Sequence, residues 1–141
     1  MPDQPPGDLP YSDASDATLH ERMGVVITEA SPERVVGTMV VEGNTQPYGL
    51  LHGGASCVLA EGLASTGAAL HAAPEKIAVG VDINATHHRG VRTGKVIGVA
   101  TPVHLGRQMA TYEITITDEQ DRRVCTARLT CALLPAPAGQ R

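Results

Sequence analysis

Apolar and polar positions change their period along this chain, and the changes divide it into strands and one long helix. From Gly24 to Ala30 and from Arg34 to Val41 the residues are largely β-branched, and the Ser31-Pro32-Glu33 turn between them predicts a hairpin. A polar, turn-rich stretch with Pro47 and Gly49 follows. It gives way to small and apolar residues that predict a buried helix from Gly54 to His71, closed by Ala72-Ala73-Pro74. Four more strands are predicted at 77–88, 95–105, 109–118 and 123–134, with turns between them. In the third of these, Tyr112, Ile114 and Ile116 alternate with Glu113, Thr115 and Thr117. Four closely spaced strands after one helix point to meander connections. Ahead of the hairpin, Ala17, Leu19, His20 and Met23 share a stripe of a short helix over 15–23, with Ser15 or Asp16 as its cap.

The pattern is α+β: one long, mainly apolar helix embedded in a curved antiparallel sheet of five or six strands. Residues 15–134 make one domain, and the Pro-, Asp- and Gly-rich ends, 1–14 and 135–141, are expected to be disordered tails. Three Tyr with no Phe and no Trp leave the core to Val, Ile, Leu, Ala and Met. The same scarcity of rings, with a formal charge of −4, removes nucleic acid as a partner. Cys57, Cys125 and Cys131 form no CxxC pair and read as buried reduced thiols, with Cys125 and Cys131 on one face of a strand. The chain has no basic patch leading into an apolar run and no apolar stretch of about eighteen residues, so a soluble cytoplasmic protein without a membrane partner is expected.

Candidate chemistry sits where loop turns into helix, at His52-Gly53-Gly54. Two glycines there let a ligand approach the backbone and leave amide N–H groups unpaired at the positive end of the helix dipole, a place for an oxyanion or a polarised carbonyl. Glu61 is the one acid between Glu42 and Glu75 and has Val58, Leu59, Ala60, Leu63 and Ala64 around it. A carboxylate in such company is costly unless paired or put to use. Ser65, four residues on, shares its helix face, so the two together could hold a water molecule. Singly, each residue has a plain structural reading: glycine pairs open many helices, a lone Glu often borders an apolar stripe, and Gln46 and His52 suit a loop.

Together, Gln46, His52, Gly53, Glu61 and Ser65 stand in a spacing that resembles the signature of hotdog-fold acyl-CoA thioesterases, in the branch of the aryl-CoA and 1,4-dihydroxy-2-naphthoyl-CoA enzymes. NATHHRGVRTGKV, PVHLGRQ and RLTCALLP extend the similarity from about Leu19 to Leu134. The resemblance implies a hotdog fold and hydrolysis of an acyl-CoA without a cofactor, with aromatic acyl groups first. In these roles the Gly53 amide polarises the carbonyl, and Glu61 is general base or nucleophile. Gln46 and His52 orient the carbonyl, water or leaving thiolate, and Ser65 holds the water.

Eight residues of helix place Gly53 and Glu61 about 12 Å apart, too far to serve one carbon that each must approach within ~3–4 Å. Two helices packed antiparallel across a two-fold axis would bring one subunit's Gly53 to the other's Glu61, so a homodimer is expected. The family adds pairing of dimers into tetramers. For the CoA phosphates the basic stretch from His87 to Lys95 offers Arg89 first, with His87 and Arg107 behind it. A metal site at His87 and His88 is not expected, because neighbouring strand residues face opposite ways. Two other readings remain: an enoyl-CoA hydratase or dehydratase on the same fold, and a non-catalytic acyl-CoA sensor.

Overall fold

In the computed structural model, which describes residues 18–138, the strand and helix periods become two layers. The elements in chain order are α1 (Leu19–Met23), β1 (Val25–Ser31), β2 (Arg34–Val40), α2 (Gly53–Ala72), β3 (Lys76–His87), β4 (Lys95–Leu105), β5 (Met109–Thr117) and β6 (Arg123–Pro135). The strands form a single antiparallel sheet in the order β1-β2-β4-β5-β6-β3, with α2 packed against it.

The meander holds for β4, β5 and β6 but not for β3, which pairs with β6 at the far edge and leaves β4 beside β2. Hydrogen bonding explains the departure. The segment after β3 does not turn back as a hairpin, because its carbonyls are engaged elsewhere: Leu51 N–H donates to Val91 O at 2.7 Å and Val41 N–H to Gly94 O at 2.9 Å. The chain is thereby carried past the loop before α2 and delivered to β2.

A glycine pair seats the helix. Gly37 of β2 and Gly98 of β4 are register partners, and Leu63 of α2 fills the space above both. A Cβ at Gly37 would lie 2.6 Å from Leu63 Cδ2, and one at Gly98 2.5 Å from Leu63 Cδ1. Leu59, Ala60, Leu63, Ala64 and Ala68 are fully buried around this contact. Tyr112, the buried aromatic among the described residues, lies against Gly67, where a Cβ would be 2.7 Å from its hydroxyl. That hydroxyl donates to the Pro32 carbonyl, and burial pushes its pKa well above the usual value.

At the ends the structure departs from expectation. The cap of α1 is Thr18, whose Oγ1 accepts from Glu21 N–H at 3.3 Å while the Glu21 carboxylate accepts from Thr18 N–H at 2.7 Å. Ser15, Asp16 and Ala17, with the expected N-terminal tail 1–14, lie outside the described residues. Leu19 is exposed, so only His20 and Met23 turn inward. In the C-terminal stretch expected to be disordered, Ala136 is buried and its N–H donates to Glu75 O at 3.0 Å. No helix among the described residues is long and apolar enough to cross a membrane.

Leu63→Ala removes the side chain that fills the seat and should cost about 2–5 kcal/mol in denaturant unfolding. A loss below about 1 kcal/mol would show that the two glycines do not depend on it.

Candidate functional site

The loop that leads into α2 is fixed by Asn44. Its side-chain Nδ2 donates to Met23 O at 2.7 Å and Val40 O at 2.8 Å, and its carbonyl accepts from His52 N–H at 2.9 Å. One residue thus joins the end of α1, the end of β2 and the start of α2. Beyond it, Thr45 and Leu51 form a bridge, Gln46 N–H donates to Leu50 O at 2.8 Å, and Gly49 turns the chain with φ 84. The Gln46 Oε1 accepts from Tyr48 N–H, and Arg92 Nη1 donates to Tyr48 O at 3.2 Å from outside.

His52 is the N-cap of α2. Its Nδ1 accepts from Gly54 N–H at 2.8 Å, so in the neutral ring the proton lies on Nε2. Its carbonyl takes the N–H groups of Ala55 and Ser56 at 2.9 and 3.3 Å. The Gly53 N–H has no acceptor among the described residues. Gly53 borders a cavity of about 310 Å³ with Gln46, Leu50, His87 and Arg89. The His87 ring lies over Gly53, where a Cβ would be 2.8 Å from Nε2. His88 also borders the cavity, its Nε2 3.0 Å from Thr126 Oγ1.

Farther along α2, the Glu61 carboxylate covers Gly80 of edge strand β3, where a Cβ would lie 2.6 Å from Oε1. Glu61 is half-buried and has no hydrogen bond or ion pair among the described residues. Gly80 pairs with Cys131, and the Ser65 side chain is hydrogen-bonded to that thiol. Burial, then the Glu61 charge, raises the Cys57 pKa; at Cys131 burial also leads, opposed by the Ser65 hydrogen bond. Burial together with Cys57 pushes Cys125 up to about 11. All three cysteines are free, with Cys125 and Cys131 buried.

The residues singled out in the sequence therefore fall into three places. Gln46, His52, Gly53, His87 and Arg89 gather at the start of α2. Glu61 and Ser65 lie about two and three turns on, against β3. Arg107 is with Lys76, His104 and Gln108 beside a cavity of about 530 Å³ at the far end of the helix, where His71 Nε2 donates to Gly106 O at 2.7 Å. Some 18 helical residues, about 27 Å, part it from Gly53, so one subunit does not bring Arg107 and Arg89 together. Three residues escaped the sequence reading. Gly80 carried a signal, a glycine inside a strand, which marks close approach by another group. Asn44 follows Gly43, φ 84, in a turn whose backbone needs side-chain partners. His20 entered only as part of a helix stripe.

Residues 48–125 match the model of the Thioesterase superfamily. The proofreading thioesterase EntH of Cronobacter sakazakii is 48% identical over 121 residues, covering 85% of this chain and 88% of that one. The structure of thioesterase HI1161 from Haemophilus influenzae superposes with a TM-score of 0.80 at 36% identity, over 86% of each chain. A glutamine-to-alanine variant of thioesterase PA1618 from Pseudomonas aeruginosa gives 0.80 at 36%, over 84% of this chain and 87% of that one.

The raised thiols predict that ultraviolet titration of the native protein shows less thiolate at about pH 9 than the unfolded chain, whose free cysteines are more than half ionised there. Glu61→Gln should lower the Cys57 transition by removing the neighbouring charge. An unchanged titration curve in that variant would place the carboxylate elsewhere.

Proposed function

The chain belongs to the hotdog-fold Thioesterase superfamily, and on that premise we propose that it hydrolyses an acyl-CoA, aromatic acyl groups foremost, at sites built from two subunits. The observation that carries this reading is the uncompensated Glu61 carboxylate. Half withdrawn from water, with no hydrogen bond or ion pair among the described residues, it is costly as structure and suited to chemistry.

The open Gly53 N–H and the helix dipole supply the other half, holding the thioester oxygen as charge develops on it. The ~12 Å between them along α2 requires that they serve one thioester from different chains. Two features favour that assembly. β3 is an edge strand that exposes Val79 and Val81, 42% and 61% accessible, and a bulge follows Gly80. On the neighbouring face of α2, Cys57, Val58, Glu61, Ser65 and Ala69 are only half-buried, whereas the sheet-facing side is closed. A two-fold axis along this face covers the apolar edge and creates two equal sites. A pairing of such dimers is the larger assembly we infer from the family resemblance.

In each site Gln46, through its side-chain N–H groups, and His52, through Nε2–H, donate to the carbonyl oxygen or the departing sulfur. The Ser65 hydroxyl, beside the Cys131 thiol, keeps an oxygen lone pair to accept from a water beside Glu61. Glu61 then either takes a proton from that water, whose oxygen bonds to the carbonyl carbon, or attacks the carbon itself to form an anhydride that water opens. Both routes break the carbon–sulfur bond and end as free acid and CoA thiol. Arg89 and His87 receive CoA phosphates beside Gly53. Arg107 can serve only a CoA held by another copy. Release of CoA separates this reading from the hydratase and sensor alternatives. The free thiols fit a reducing cytoplasm.

Glu61→Ala should lower kcat for acyl-CoA at least about a hundredfold without changing the dimer seen by light scattering. An active Glu61→Ala enzyme would end the assignment. Mixing Glu61→Ala with an inactive Gly53→Leu variant should restore about a quarter of wild-type activity, because each mixed dimer keeps one complete site. If both halves belonged to one subunit, mixing would restore nothing.

A further inference from the structure

Two cavities flank Glu61 along α2, and their chemistry differs. The one at Gly53 carries His87, His88 and Arg89 and matches an anionic ligand. The other, about 390 Å³, is bordered by Leu19, Ala69 and Ala78, by His20 on Gly62, and by the hydroxyls of Thr18, Ser65 and Thr66, and has no Lys or Arg among the described residues that line it. His20 is held in place by a gap in the helix surface. Its imidazole lies directly on Gly62, and a Cβ there would collide with Cε1 and Nε2. Neither ring nitrogen has a hydrogen-bond partner among the described residues. Burial lowers its pKa below the ordinary value, so at neutral pH the ring is uncharged, with one N–H donor and one bare nitrogen acceptor.

We propose that this cavity receives the acyl group and that His20 is a specificity-determining residue which selects acyl groups carrying a hydroxyl. The inference rests on the thioesterase reading of Gly53 and Glu61 above, since that reading fixes where the carbonyl carbon sits. From Glu61 the cavity begins within one helical turn, about 5–6 Å, which is the reach of a single ring bearing a substituent. Leu19, Ala69 and Ala78 take the ring faces. The unpaired imidazole meets the hydroxyl, which can donate to the bare nitrogen or accept from the N–H. An unsubstituted acyl group would leave the ring nitrogens dry and unsatisfied, a penalty paid only by the wrong substrate.

The test is the ratio of kcat/KM within matched pairs, read by CoA release: hydroxybenzoyl-CoA against benzoyl-CoA, and 3-hydroxybutanoyl-CoA against butanoyl-CoA. The wild type should favour the hydroxylated member of at least one pair roughly tenfold. His20→Leu should reduce that ratio toward one, and His20→Gln, which keeps a donor and an acceptor, should retain most of it. Where leucine does not pack, His20→Ala should regain the preference on addition of free imidazole. Equal losses on both members, an unchanged ratio in His20→Leu, no discrimination by the wild type, or no return with imidazole each overturn the role of His20. Those outcomes differ from failure of the thioesterase reading, which would appear as absent CoA release from every acyl-CoA or as a fully active Glu61→Ala enzyme.

Discussion

The closeness with which α2 lies on the sheet governs the rest of the molecule, and glycine sets that closeness. A chain without Phe or Trp cannot fill wide gaps between layers, so here the gaps are removed. Leu63 sinks onto the Gly37–Gly98 rung, and the Tyr112 hydroxyl reaches α2 at Gly67. The same device recurs where no core is being built. His87 rests on Gly53, Glu61 on Gly80 and His20 on Gly62. In each case a polar side chain is brought against bare backbone, and Glu61 and His20 are half withdrawn from solvent there with no side-chain hydrogen bond or ion pair among the described residues. Core and candidate site are thus made by one rule, in which the missing side chain of one residue positions the present side chain of another.

Much of this was legible in one dimension, because it depends on local periods. The alternation in β5, the small-residue run of α2 and the turn residues between strands place every element within a residue or two, save the start of α1. What periodicity does not carry is which strand lies beside which. β3 reaches the far edge through hydrogen bonds between Leu51 and Val91 and between Val41 and Gly94, contacts about 40 and 53 residues apart that leave no trace in the local pattern. The cap at Thr18 illustrates the opposite failure: Ser15 and Asp16 were equally good chemistry, and only the reciprocal bond with Glu21 distinguishes the residue that caps.

The site was legible to a similar depth. Gln46, His52, Gly53, Glu61 and Ser65 stand out by their combined spacing rather than singly, and the separation of Gly53 from Glu61 follows from helix rise alone. Arg107 and Arg89 show the limit, since both are basic residues near turns and only the path of the chain puts them at opposite ends of α2. His20 shows another, because its interest comes from Gly62, forty-two positions away. A single folded copy presents the Gly53 amide and the Glu61 carboxylate on separate parts of one helix, so the unit that folds is smaller than the unit we propose to react.

Asn44 has a further consequence. By tying Met23, Val40 and His52 together at the foot of the loop, it closes the segment from Thr45 to Leu51 into a handle whose two ends are pinned independently of what lies between them. Residues inserted or exchanged at its tip change neither the direction in which α2 starts nor the pairing of β2. Selection, natural or in the laboratory, is therefore free to vary the Pro47 and Tyr48 side chains at the tip while Gln46 and the start of α2 stay as they are.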